Sequence, residues 1–181
     1  TEIYTLSLHD ALPIFGENIS PVEVTAIVNR LMMSTADIIL NKNGLPYAVR
    51  KQGAGLVNIK HSYQTAAYVT TYDTETGKAL DKSKLELGDD KQKTGVYQMT
   101  FDVVNISNNA VSYDVDSIVL TEGVSKTYTG HSDTTVSQDG YLLGGAKTTV
   151  SAVVGGTQNG NTITVAAGKT AKVTQIGRAH V

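Results

Sequence analysis

The 181-residue chain has no cysteine, no tryptophan and only three prolines. Without cysteine there is no disulfide framework, no thiol catalysis and no thiolate-ligated zinc. Export stays open, because many extracellular proteins of Gram-positive bacteria manage without disulfides. No apolar run reaches the roughly 18 residues that a membrane-spanning helix needs. The first residues lack a basic stretch followed by an apolar one, so no signal peptide is visible. No cluster of Lys and Arg stands out and the formal net charge is -2, which gives no footing for nucleic acid or an anionic membrane.

What is present is 40% hydrophobic residues, 17 glycines and nine tyrosines, with Thr and Val dominating the second half. That is enough apolar material for a core, in a composition that favours strands and turns.

Both ends read as something other than natural protein. Residues 1–14, Thr1 to Ile14, match the in-frame translation of a common short-read sequencing adapter without a mismatch. Residues 176–181, Ile176 to Val181, match the partner adapter, whose next codon is a stop. On this reading His9, Asp10, Arg178 and His180 carry no functional meaning, and the natural segment is Phe15 to about Gln175.

Residues 15–67 read as a piece of an α/β protein. Ser20-Pro21-Val22-Glu23 is a helix start: Ser20 caps, Pro21 fits the first helical position and Glu23 completes a capping box. Val24, Ile27, Val28 and Leu31 recur at helical spacing, which predicts a helix to about Ser34 or Thr35. Asn43-Gly44 and Pro46 mark a turn after Ile38 to Leu40. Asn58 is positioned to cap a second short helix from Ile59 to about Ala66. Gly53-Ala54-Gly55 lacks the spacing and the preceding strand of a phosphate-binding loop; small residues there let backbone approach backbone.

In this segment the chain resembles the subtilisin-like serine peptidases. Leu31-Met32-Met33-Ser34-Thr35-Ala36, a short loop, and then Arg50-Lys51-Gln52-Gly53-Ala54-Gly55-Leu56-Val57-Asn58 look like the close of a subtilase catalytic domain. The variant is most similar to the lactocepins and the complement-cleaving cell-envelope peptidases. The resemblance implies a parent that uses Asp, His and Ser in that chain order, with an oxyanion hole. The family's Gly-Thr-Ser-Met-Ala nucleophile segment is expected just upstream of Glu17, where this chain has only adapter. No residue is therefore assigned as catalytic, cofactor-binding or metal-binding, and no cofactor is called for. Gly130-His131-Ser132 sets a His beside a Ser on a loop, which cannot supply triad geometry, and His61 is expected to be an exposed or half-buried polar residue. The helices of this piece are expected to lack the parallel sheet they pack against in the missing remainder of the protease domain.

Residues 68–175 change texture. Ala67 to Asp73 is β-rich and precedes the turn Thr76-Gly77-Lys78, while Lys84 to Leu87 is a short run before the polar loop Gly88-Asp89-Asp90-Lys91. From Gly95 to Ile106 the pattern alternates, with Tyr97, Met99, Phe101 and Val103 on one face and Gln98, Thr100 and Asp102 on the other. After the turn Ser107-Asn108-Asn109, Val111, Tyr113, Val115 and Val119 suggest a partner strand. Residues 121–145 are a long Gly/Ser/Thr-rich excursion. Thr148 to Val154, Asn161 to Val165 and Thr170 to Thr174 read as strands, the last two joined by Ala167-Gly168-Lys169. This predicts an all-β sandwich rather than alternating βα units.

The expected fold class is thus mixed: a short α-helical remnant of a subtilase α/β domain followed by an incomplete all-β sandwich. The sandwich resembles the fibronectin type III-like domain that follows the protease domain in these peptidases, through Val103-Val104-Asn105, Ser112-Tyr113 and Ile163-Thr164-Val165-Ala166-Ala167-Gly168. Asp89-Asp90 and Asp114/Asp116 match no calcium-loop spacing and read as a solvated loop and a polar strand face. The resemblance implies a secreted, cell-wall-associated endopeptidase of a Gram-positive bacterium acting on proteins or peptides, with the sandwich as accessory or spacer. A degenerate subtilase without activity and a sandwich adhesin or carbohydrate-binding module are the rival expectations. The terminal strings should recur at the ends of unrelated predicted proteins; a longer natural transcript encoding them would remove the adapter reading.

Overall fold

The computed structural model describes residues 20–73, 75–127 and 134–178, with 122–141 described by backbone course alone. Helix α1 (Pro21–Ser34) begins at the expected capping box: the Ser20 hydroxyl accepts from the Glu23 N–H, and the Glu23 carboxylate accepts from the Ser20 N–H at 3.0 Å. Its buried stripe is Val24, Ile27, Val28 and Leu31, as the periodicity predicts. The Thr35 hydroxyl donates to the Leu31 carbonyl at 2.8 Å and closes the last turn. A one-turn helix α2 (Val49–Gln52) follows the Asn43-Gly44 turn. Helix α3 (Ile59–Gln64) is capped by Asn58, whose side-chain oxygen accepts from the His61 N–H. It stops two residues short of Ala66 because Thr65 is already extended and leads into the first strand.

Gly55 justifies the small-residue reading. Asp37 and Leu56 exchange backbone hydrogen bonds of 2.8 Å. A Cβ on Gly55, whose φ is +123°, would lie 2.3 Å from the Asp37 carbonyl oxygen. Only glycine fits that approach.

The remainder is mostly β-sheet. Strands β1 (Ala67–Thr71), β2 (Val96–Asn105), β6 (Lys147–Val154) and β9 (Thr170–Arg178) form an antiparallel sheet in the order β1-β2-β9-β6. Strands β3 (Val111–Asp114), β7 (Thr157–Asn159) and β8 (Thr162–Val165) form a second sheet, β3-β8-β7. Strands β4 (Leu120–Thr127) and β5 (Thr134–Leu142) pair with each other. The two main sheets share one core of Ala67, Val103, Val150, Ile163, Val165, Ala171 and Val173, so the architecture is sandwich-like. Val165 and Val173 are fully buried at its centre.

Several expectations change in detail. Val111–Asp114 does not lie beside β2; it crosses to the facing sheet and pairs with β8. Residues within the 121–145 excursion form the β4–β5 ribbon, and β7 is a strand that the pattern did not suggest. Lys84 to Leu87 forms no strand. Strand β9 runs on through Ile176, Gly177 and Arg178, the first residues of the adapter-like tail, pairing with β2 and β6. Backbone pairing asks little of side-chain identity.

Strand β1 is buried without alternation, every residue but Val69 fully so. A strand reads this way only when both faces are covered. One face meets the sandwich core through Ala67. The other carries Tyr68, which packs with Ile27 and Leu31 of α1 and with Val104 and Ile106. The helix that lacks a parallel sheet thus takes cover on the sandwich. The outer edge of β1 is also closed: Val69 N–H donates to Ser34 Oγ at 2.8 Å, Ser83 Oγ donates to the Val69 carbonyl, and Leu80 N–H donates to the Thr71 carbonyl. An edge so covered cannot template another chain.

Where β2 leaves the first sheet, Asn105 is buried to 2% exposure. Its amide NH₂ faces the carbonyls of Asn109, Val165 and Ala166 at 2.8–3.0 Å, and its oxygen accepts from Ser107 N–H and Oγ. Asn105→Leu should cost about 2–3 kcal/mol, because the buried Val165 carbonyl and the Ser107 N–H each lose a partner. Denaturant midpoints measure this, and a loss below about 1 kcal/mol would count against the role given to Asn105.

Candidate functional site

Two polar clusters lie outside the apolar core. The first joins the helical piece to itself. Asp37 follows α1, and its carboxylate accepts from Asn58 Nδ2 at 2.8 Å and lies 3.3 Å from His61 Nδ1. Thr35 and Ser62 share a hydroxyl–hydroxyl bond of 2.8 Å, and Ser62 Oγ donates to the Asn58 carbonyl. The His61 and Asp37 side chains are both about half exposed. His61 is thus the half-buried polar residue expected, with Asp37 as its partner. The cluster locks α3 against the loop that follows α1, and an ion pair this exposed adds little stability.

The second cluster sits on the outer face of the four-stranded sheet, beside α1. The Tyr72 hydroxyl donates to Asp102 Oδ2 at 2.5 Å. Lys172, paired with Asp102 across β2 and β9, carries its ammonium 5.1 Å from the centroid of the Tyr72 ring. Arg30 of α1 donates from Nε to the Leu80 carbonyl at 2.9 Å and lies 3.6 Å from Asp81. Asp102 is 8% exposed, and its Oδ1 has no hydrogen-bond partner among the described residues. Tyr72, Leu85, Leu87, Gln98, Thr100 and Lys172 line a shallow groove of about 350 Å³ above it.

The hydrogen bond to Asp102 pushes the Tyr72 phenol up to about 12, helped by burial and by the carboxylate charge. Burial also raises Tyr68, with the Arg30 guanidinium opposing it. A phenol held protonated in this way is a donor and a brace. It is not a base or nucleophile near neutral pH.

Two of the four carboxylates considered for calcium, Asp90 and Asp114, are otherwise engaged. Asp90 accepts from Gly95 N–H at 2.6 Å and from Thr94 Oγ1, bonds that hold its carboxyl below the usual range. Asp114 accepts from Thr162 Oγ1 at 2.6 Å across β3 and β8. Among the described residues no three His, Cys, Asp or Glu side chains gather as a metal site. His9, Asp10, Gly130-His131-Ser132 and His180 lie outside the described residues, as do the side chains of 122–141 and residues 1–19. Sequence reasoning missed the Tyr72–Asp102 pair. Its only signal was an Asp in the polar register of β2, which reads as solvated until the cover over that face is known. No helix among the described residues is long and apolar enough to cross a membrane.

No protein-family model matches the chain, and no curated protein matches it.

The Tyr72 pKa is raised above its unfolded value of about 10, so its contribution is complete below pH 10 and is lost as pH rises through about 12. In Asp102→Asn the phenol should titrate back toward 10, and the variant should lose cooperative structure at lower alkaline pH than the parent chain. An ultraviolet difference titration against Tyr72→Phe isolates the step. A step that stays near 12 in Asp102→Asn would remove Asp102 as its cause.

Proposed function

We propose that the chain is a non-catalytic piece of a secreted, cell-wall-associated subtilisin-like serine endopeptidase. In this reading residues 15–67 close the catalytic domain, and residues 68–175 are part of a fibronectin type III-like accessory sandwich that supports and spaces it. The parent hydrolyses proteins or peptides by serine nucleophile chemistry, with its Asp, His and Ser supplied by the missing remainder of the protease domain.

The observation that carries the reading is the junction. A helix-rich piece with the subtilase-like motif order is fastened through α1 to the first strand of a sandwich-like fold. Two details support it. The Gly55 approach to Asp37 gives a physical reason for the glycine in the Gly53-Ala54-Gly55 motif. With β4, β5, β7 and β8 set aside, β1, β2, β9 and β6 lie in the order A-B-E-D of an immunoglobulin-like sandwich, and β3 lies in the facing sheet as strand C does. In that architecture strand F lies beside C, and among the described residues β3 has β8 on one side only.

The rival adhesin or carbohydrate-binding reading meets a specific difficulty. The aromatic in the groove, Tyr72, has the Lys172 ammonium over its ring, where a sugar would stack.

Expressed as it stands, the chain should release no peptides from a denatured protein substrate. Hydrolysis abolished by a serine-directed inhibitor in a clean preparation would contradict this. The flanking gene sequence, trimmed of adapter, should carry a Gly-Thr-Ser-Met-Ala segment shortly before Glu17 and an Asp and a His further upstream. Their absence would end the subtilase reading.

A further inference from the structure

The fifteen Lys and Arg residues differ in how firmly the fold holds the backbone beside them. Arg30, Lys60 and the α2 pair lie in helices, and Lys126, Lys147, Lys172 and Arg178 lie in strands. Lys42 and Lys78 sit in turns closed by backbone hydrogen bonds, and the Lys169 carbonyl accepts from the Asn105 N–H. The Lys82 and Lys84 carbonyls both accept from Thr71 Oγ1. Lys91 and Lys93 have no such hold. They lie between Lys84 and the start of β2 at Val96, in a stretch without helix or strand. Among the described residues, the hydrogen bonds of 88–94 all close within 89–96. The Lys91 N–H donates to the Asp89 carbonyl at 3.1 Å, and the Lys93 N–H to the Asp90 carbonyl at 3.0 Å. The Asp90 carboxylate accepts from Thr94 Oγ1 and the Gly95 N–H. Every residue from Glu86 to Thr94 except Asp90 is exposed. An exposed loop tip bonded only to itself is where an endopeptidase cuts a folded chain first.

We propose that the Lys91–Gln92 peptide bond is a cleavage site for a trypsin-like endopeptidase, whose primary pocket carries a carboxylate for the Lys ammonium. Such an enzyme takes several residues on each side of the bond in extended form. Gly88 to Gly95 supplies four on each side, all outside regular structure. Lys93 is the poorer site, because Val96 and Tyr97, two of the four residues after it, are paired with β9. Asp90 is the latch, since it must release Thr94 and Gly95 before the loop extends. Water adds its hydroxyl to the Lys91 carbonyl carbon and its proton to the Gln92 nitrogen as the C–N bond breaks. The cut leaves the fold closed. The two parts stay joined by the five residue pairs of the β1–β2 ladder, by Tyr68 against Val104 and Ile106, and by the Tyr72 hydroxyl on Asp102. A covalent joint between the helical piece and the sandwich becomes one that parts when that ladder opens. The site stands on the loop alone, whatever the parent hydrolyses.

Brief digestion of the full chain with a trace of trypsin, read by intact mass, tests this. The first products should be one fragment ending at Lys91 and one beginning at Gln92. A first cut at any other Lys or Arg, Lys93 included, would overturn the inference. In Lys91→Gln the first cut should slow by about tenfold or more with the thermal midpoint unchanged; a cut that moves to Lys93 at the original rate would overturn it. Asp90→Ala should speed cleavage by about fivefold, the opening that one ordinary hydrogen bond resists. That rate is taken relative to a peptide of residues 86–96 bearing the same change, which removes the protease's own preference. No acceleration beyond the peptide's would remove Asp90 as the latch. In native gel filtration the nicked chain should elute as one species, and its two parts should separate in denaturant. Parts that separate without denaturant would overturn the claim that the cut leaves the fold closed.

Discussion

One buried amide holds the sandwich together at the point where its chain changes sheets. Asn105 ends β2, hydrogen-bonds from its backbone to the Lys169 carbonyl, and turns its side chain toward the end of β8. Its two N–H groups are shared among three carbonyls from two different segments, and its oxygen receives the turn at Ser107. A hydrophobic residue of equal size would fill the space but take a partner from the Val165 carbonyl and the Ser107 N–H, while the Asn109 and Ala166 carbonyls keep Ser107 Oγ and the Lys169 N–H. The amide ties the turn after β2 to the end of β8, beside Ile163 and Val165 of the core that the two sheets share.

The second constraint is that β1 serves two layers. Its inner face belongs to the sandwich core, its outer face to the stripe of α1, and its free edge to Ser34, Ser83 and Leu80. The helical piece and the sandwich therefore share a wall. Removing α1 would expose Tyr68, Val104 and Ile106, and removing β1 would strip the helix of its cover. Arg30 adds a polar fastening at the same place by reaching from α1 to Leu80.

What could be read in advance was what neighbouring residues decide. The capping box, the buried stripe of α1, the Asn58 cap and the turn at Gly44 all depend on side chains within four positions of one another. The alternation of β2 was equally plain, because period two is a property of the strand itself. Pairing was less legible. Nothing in Val111 to Asp114 says that it joins β8 rather than β2, since its partner Thr162–Val165 lies about fifty residues further along the chain. Strand β7 is three residues long, too short for a pattern. Asp102 looked like a surface residue because the cover over its face comes from elsewhere in the chain. The absence of an assigned catalytic group is a matter of which motifs occur in the sequence.

The shared sheet also fixes how the molecule carries load. Strand β1 begins at Ala67, opposite Asn105, and β9 reaches Gln175, ahead of the adapter-like tail, opposite Met99, so the two points lie toward opposite ends of β2. Tension applied between them pulls β1 and β9 lengthwise past β2. The hydrogen bonds of both ladders are then strained together in shear, instead of opening one at a time as in a peeled hairpin. A pair of ladders loaded in this way resists stretch along β2 more than a hairpin opened from one end.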